Sequence, residues 1–163
     1  MRVLNPELLH VTLCFLGDRP VEEVATIGVV LDECAVSVGE LSIGAPLWLP
    51  PRRPRALAVE VRDDPDDPDG GLAALHGVLT EALARTCGYQ AERRRFRAHV
   101  TVARVREGPR RSKAQSPDGW AGRVLAATPA LSFTPASVVL YRSWLSPAGA
   151  SYEALATRTL VPS

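Results

Sequence analysis

The sequence predicts an α+β fold built from two similar halves, and three observations predict it. Segments with the two-residue alternation of a strand and segments with helical spacing follow one another as strand, helix, strand, strand, helix, strand, then a short helix and further strands. A His-x-Thr tripeptide occurs twice in strand-like surroundings, as His10-Val11-Thr12 and His99-Val100-Thr101, in a chain with only 3 histidines. The length of 163 residues with 46% apolar content suits one domain, residues 1–163, with a core of its own.

Taken in order, Asn5-Pro6-Glu7 reads as a turn into a strand at about Leu8–Leu16, which Gly17-Asp18 ends. Pro20 suits the first turn of a helix, and Val24, Ile27, Val30, Leu31 and Cys34 give the stretch from Val21 to about Val36 an apolar face. Leu41–Leu49 reads as a strand interrupted at Gly44 and Pro46, the prolines around Arg52 as a loop, and Ala56–Val61 as a second strand. The acidic run from Asp63 to Gly71 reads as a solvated loop, since its prolines do not suit the convergent oxygens a divalent metal needs. Its last carboxylates favour the N-terminus of a helix over Leu72–Thr86, with Leu72, Leu75, Leu79 and Leu83 on one face and Gly88 as its stop. His76 lies inside that helix near the apolar stripe and reads as structural or exposed. A strand region follows over Arg93–Arg106, then a polar loop over Glu107–Gly119 and a short helix over Trp120–Ala127. Strands are expected at Ala130–Phe133 and Val138–Leu145, then a turn at Ser146–Gly149 and a last strand near Tyr152–Leu160.

Composition excludes several classes. No apolar run approaches the roughly 20 residues of a membrane span, and the N-terminus lacks signal-peptide architecture, so the cytoplasm is expected. Cys14, Cys34 and Cys87 are widely spaced and form no C-x-x-C, which suits reduced thiols rather than disulfides or a zinc site. Net charge is +1, yet unevenly spread. Lys113 is the sole lysine, and arginines crowd Arg93–Arg111 while acids gather at Asp63, Asp64, Asp66, Asp67 and Asp69. A basic patch beside the second His-x-Thr suits a nucleic-acid phosphate; the plainer alternative is a solvated basic loop.

Within the second motif, period two puts His99 and Thr101 on one strand face and Val100 and Val102 on the other. An imidazole and a hydroxyl side by side can address one small anionic group. Paired His-x-Thr strands mark the 2H phosphoesterase superfamily. Leu9-His10-Val11-Thr12-Leu13-Cys14-Phe15-Leu16-Gly17 and His99-Val100-Thr101-Val102-Ala103-Arg104 resemble its RNA 2′,3′-cyclic phosphodiesterase branch, also called the 2′-5′ RNA ligase family. Leu140–Gly149, with Tyr152 following, resembles that branch's C-terminal signature, so the resemblance runs from about Leu8 to Leu160. It implies two lobes related by a pseudo-twofold axis, antiparallel sheets lining a central cleft, helices outside, and one His-x-Thr from each lobe.

Opening a 2′,3′-cyclic phosphate needs a water deprotonated on one side of phosphorus and a proton delivered to the departing ribose oxygen on the other. Two facing histidines can do both, because imidazole ordinarily titrates near working pH. Thr12 and Thr101 can donate to the non-bridging oxygens, where transition-state charge sits. The scheme needs neither metal nor cofactor. By resemblance, His99 activates water, His10 protonates the leaving oxygen, Arg104 contacts phosphate and Phe15 stacks on the terminal base. A strict strand would turn Arg104 and Phe15 away from His99 and His10. Either the strand ends or bulges there, or Arg104 is a surface ion pair and Phe15 a core aromatic.

The chain also departs from the family pattern. Only nine residues precede His10, where the family usually carries a further strand and helix. Cys14 takes an often basic position and Ala98 replaces a common proline. The expected partners are RNA ends, or alternatively small cyclic nucleotides or an ADP-ribose cyclic phosphate. A non-catalytic RNA- or nucleotide-binding module is the remaining alternative. A monomer is expected, with self-association if the missing strand leaves a sheet edge open.

Overall fold

The computed structural model describes residues 1–34, 36–64, 71–105, 124–146 and 149–161. The chain forms two compact units. The first gathers Met1–Thr12, Ser42–Arg62 and Arg97–Ser132, and the second Leu13–Leu41, Asp63–Phe96 and Phe133–Ser163. Both His-x-Thr motifs fall in the first unit.

The first unit is organised by a sheet. Its strands are β1 (Arg2–Val3), β2 (Leu41–Leu49), β3 (Ala56–Asp63), β4 (His99–Arg104) and β5 (Ser132–Phe133), in the spatial order β1-β4-β3-β2-β5. β2 runs unbroken through Gly44 and Pro46. β3 and β4 pair antiparallel, from Ala56↔Arg104 to Glu60↔His99. The pairing is not uniform. Leu57 pairs with Ala103 but Ala58 pairs with Thr101, so β4 holds one extra residue, Val102, in a bulge.

The N-terminal segment runs along the other edge of β4, with Arg2 opposite Arg104 and Val3 opposite Ala103. The strand expected over Leu8–Leu16 does not form as one element. Pro6–Leu8 is instead a turn of 3₁₀ helix, with the Asn5 side chain accepting from the Glu7 N–H at 3.3 Å. Beyond it, pairing is confined to one antiparallel bridge, Val11↔Val100. Alternating apolar residues read as a strand, yet Leu9 is 42% exposed and Phe15 70%, so no buried face holds the run extended.

The second unit packs α1 (Glu23–Glu33) against α2 (Gly71–Cys87) and against the antiparallel hairpin of β6 (Ser137–Ser146) and β7 (Gly149–Thr159). Ile27, Val30 and Leu31 of α1 and Leu72, Leu75, Leu79 and Leu83 of α2 are buried, as the spacing predicts. At the start of α2 the Asp63 Oδ1 accepts from the Leu72 N–H at 2.7 Å; the later carboxylates of the acidic run, Asp66, Asp67 and Asp69, lie outside the described residues. The helix stops before Gly88, whose φ of 63° returns the chain in the left-handed region.

The strand expected from Arg93 begins only at His99. The loop over Glu107–Gly119, the start of the short helix at Trp120 and two residues of the turn at Ser146–Gly149 lie outside the described residues. Val124 to Ala127 are described and are not helical, with Val124 98% exposed. Among the described residues no helix is long and apolar enough to cross a membrane.

Candidate active site

β4 is the centre of the site. His99, Thr101 and Val100 alternate across it, and the pairs Glu60↔His99 and Ala58↔Thr101 place Glu60 and Ala58 on the face of His99 and Thr101. Val11 meets Val100 directly, so these two valines share the opposite face. The bridge sets the two His-x-Thr tripeptides side by side, and an extended backbone about Val11 would turn His10 and Thr12 to the face of His99 and Thr101.

The same device orients each ring. His10 Nδ1 lies 2.8 Å from the Leu8 carbonyl oxygen, and His99 Nδ1 lies 2.8 Å from the Arg97 carbonyl oxygen. A carbonyl only accepts, so Nδ1–H donates in both cases. Each imidazole is thus tied to the backbone two residues upstream and turned with Nε2 leading. This repeats in space what the paired tripeptides repeat in sequence.

The bulge decides the position of Arg104. Without it, Arg104 would face away from Thr101. With Val102 extra, Arg104 pairs with Ala56, and period two on β3 puts Ala56 on the face of Ala58 and Glu60. Arg104 therefore shares the face of His99 and Thr101. It is exposed and pairs with no acid among the described residues. Arg2, opposite Arg104 on β1, comes to the same face. Phe15 lies in the second unit, where its ring is exposed and is not a core aromatic.

Sequence reasoning misses what tertiary pairing brings in. Glu60 stands across from His99 and binds two guanidinium groups: Arg62 Nη2 at 2.7 Å through Oε2, and Arg97 Nη2 at 3.2 Å through Oε1. The Arg62 hydrogen bond is the chief cause that holds the Glu60 carboxyl below its usual range, against some burial and with help from Arg97. An acid so far along the chain from either motif leaves no local signal. The one available hint is that β3 alternates, which sets Glu60 and Arg62 on one face.

Other candidates stand elsewhere. His76 stacks on Phe96 in the second unit, with ring centroids 4.2 Å apart and planes 11° apart, and burial lowers its pKa. Burial likewise raises the Cys14 thiol, which lies 3.8 Å from Thr80 Oγ1. Among the described residues no three His, Cys, Asp or Glu side chains gather as metal ligands would.

No family model matches the chain. It is 31% identical over 107 residues to an RNA 2′,3′-cyclic phosphodiesterase of Archaeoglobus fulgidus, covering 65% of this chain and 57% of the relative. The chain thus spans a little over half the length of that relative. Its fold is that of TT0787 of Thermus thermophilus, at a TM-score of 0.76 and 24% identity, covering 98% of this chain and 81% of the other. LigT of E. coli, solved with NADP+, matches at a TM-score of 0.68 and 23% identity over 98% of this chain and 80% of its own. The resemblance read from the two His-x-Thr segments is met both by sequence relationship and by an α+β fold shared over nearly the whole chain.

Proposed function

We propose that this chain is a 2H phosphoesterase that hydrolyses terminal 2′,3′-cyclic phosphates of RNA to 2′-phosphomonoesters. The observation that carries the reading is the matched anchoring of His10 and His99. Each Nδ1 donates to a carbonyl two residues back, and the Val11↔Val100 bridge sets the two tripeptides side by side. The name of the Archaeoglobus relative supports the substrate class.

In this reading, His99 takes a proton from water as its oxygen attacks phosphorus. The bond from phosphorus to the ribose 3′-oxygen breaks, and His10 protonates that oxygen. Thr12 and Thr101 hydroxyls donate to the non-bridging oxygens, and the Arg104 guanidinium offsets their charge. Phe15 stacks on the terminal base. A ribose 5′-hydroxyl in place of water would give 2′-5′ joining through the same groups. The cytoplasm, where Cys14, Cys34 and Cys87 stay thiols, is the expected compartment. A second reading keeps the chemistry on a free cyclic nucleotide, and is favoured by the solution of LigT with 3′-AMP.

The test is hydrolysis of a short RNA ending in a 2′,3′-cyclic phosphate, in EDTA, by the protein and by His10→Ala and His99→Ala. Each variant is expected to lose about 10²–10⁴-fold in kcat, and the double variant little more than either alone, since the pair acts as a unit. A folded parent that binds the RNA end without turnover would make this a binding module.

A further inference from the structure

We infer that Arg62, Arg97 and the groove lined by Trp48 form a subsite for the nucleotide and phosphodiester immediately 5′ of the reacting end. The site is then built for an RNA strand and not for a mononucleotide. The inference deepens the proposed reading and rests on it.

The arginines belong to the site face by register. The Val61 N–H donates to the Ala98 carbonyl at 3.0 Å, which carries the β3–β4 ladder one step past Glu60↔His99 and sets Arg62 opposite Arg97. Among the described residues one carboxylate, Glu60, serves both, so two guanidinium groups share one negative charge. The side chains of Arg62 and Arg97 are 59% and 61% exposed, and Glu60 only 21%. The acid therefore sits beneath and aims the two guanidiniums outward. β2 makes room for them at Gly44, where a side chain's first carbon would fall 2.8 Å from Arg62 Nε and 2.9 Å from Glu60 Oε2.

Arg97 also faces a groove of about 520 Å³ shared with Pro46, Trp48, Pro51 and Val124. An aromatic and prolines beside a cation suit a base with its phosphate: bases stack on aromatic side chains without sequence preference, and arginine holds the backbone. Arg97 lies two residues before His99, at most roughly 6–7 Å along the chain at 3.2–3.4 Å per residue. The cyclic phosphate has its own partners in Thr12, Thr101 and Arg104. A mononucleotide brings no second phosphate for Arg62 and Arg97, whereas a strand does.

The experiment compares the parent with the double variant Arg62→Gln, Arg97→Gln. One assay follows hydrolysis of a mononucleoside 2′,3′-cyclic phosphate and of a short RNA with the same end. The other follows binding of a single-stranded RNA bearing a 2′-phosphate, across a salt series. The double variant is expected to lose at least tenfold in kcat/KM on the RNA and stay within about twofold on the mononucleotide. Its plot of log affinity against log salt should be shallower by about 0.7, for the one phosphodiester no longer neutralised. Equal losses on both substrates, or no loss on either, would overturn the inference. If the parent turns over neither substrate, the phosphodiesterase reading falls. The salt slope still decides the subsite, and an unchanged slope overturns it.

Discussion

Arg2 and Arg104 stand directly opposite each other across β1 and β4, on the face that carries His99 and Thr101. Like charges in directly opposed positions are destabilising. Arg104→Gln is therefore expected to raise the stability of the unliganded protein slightly at low salt. In hydrolysis it should lower kcat/KM by about 10–100-fold, the worth of one charge-assisted hydrogen bond at ~1.5–3 kcal/mol. Urea unfolding in anion-free buffer, beside turnover of the RNA cyclic phosphate, checks both halves. A variant that is both less stable and fully active would remove Arg104 from the phosphate.

Glu60 gives an acid-side prediction. Its carboxyl is held below the ordinary carboxylate range chiefly by the Arg62 hydrogen bond. A depressed carboxylate contributes stability that is present above its ordinary pKa of about 4.3 and is lost as pH falls through the lower folded value. Parent stability should therefore drop on acidification below about pH 4.3, and Glu60→Gln should lose this part of the drop. Urea midpoints for both proteins at successive pH values make the comparison. Parallel curves would mean that the ion pairs with Arg62 and Arg97 contribute nothing measurable, as exposed pairs sometimes do.

Phe15 separates substrate contact from packing. Its ring is 70% exposed, so truncation removes little buried area. Phe15→Ala is expected to change stability by less than about 0.5 kcal/mol. KM for the RNA end should rise several-fold if the ring stacks on the terminal base, and kcat should change less. A large loss of stability with unchanged KM would return Phe15 to a structural role.

Much of this site is legible in the sequence because its signals are local. His99 and Thr101 are paired by short spacing, and spacing on a strand determines face; His10 and Thr12 come to β4 through the Val11↔Val100 bridge. The leucines of α2 are legible for the same reason. Arg104 is half legible: the motif names it, but period two turns it the wrong way, and only the extra residue Val102 in the β3–β4 pairing brings it back. Nothing about Val102 itself marks a bulge. For Glu60 and Arg62 only their common face on β3 is legible, since their place beside His99 comes from a pairing made after the chain has run through α2. β1 is too short for any periodicity to show. The opposite error occurs at Leu8–Leu16, where alternation is present but partners are not. Periodicity reports the faces a segment would have, and pairing decides whether it has them.

His76 supplies the last test, because it is the histidine outside the motifs. It stacks on Phe96 and burial lowers its pKa. In the unfolded chain it takes a proton near the ordinary value of about 6.5, so below that pH the unfolded state binds more protons than the folded one. Stability must then rise with pH through the interval from the lower folded value up to about 6.5, and fall on acidification through it. His76→Gln is expected to flatten that interval. If the proton-transfer pair is His10 and His99, turnover of the RNA cyclic phosphate should survive the same substitution within a few-fold. Thermal unfolding of parent and variant between about pH 5 and pH 7.5, with activity measured at about pH 7.5, resolves the two. A variant that keeps the slope would show that another group titrates there. One that loses turnover while remaining folded would give the third histidine a part in the chemistry and undo the two-histidine scheme.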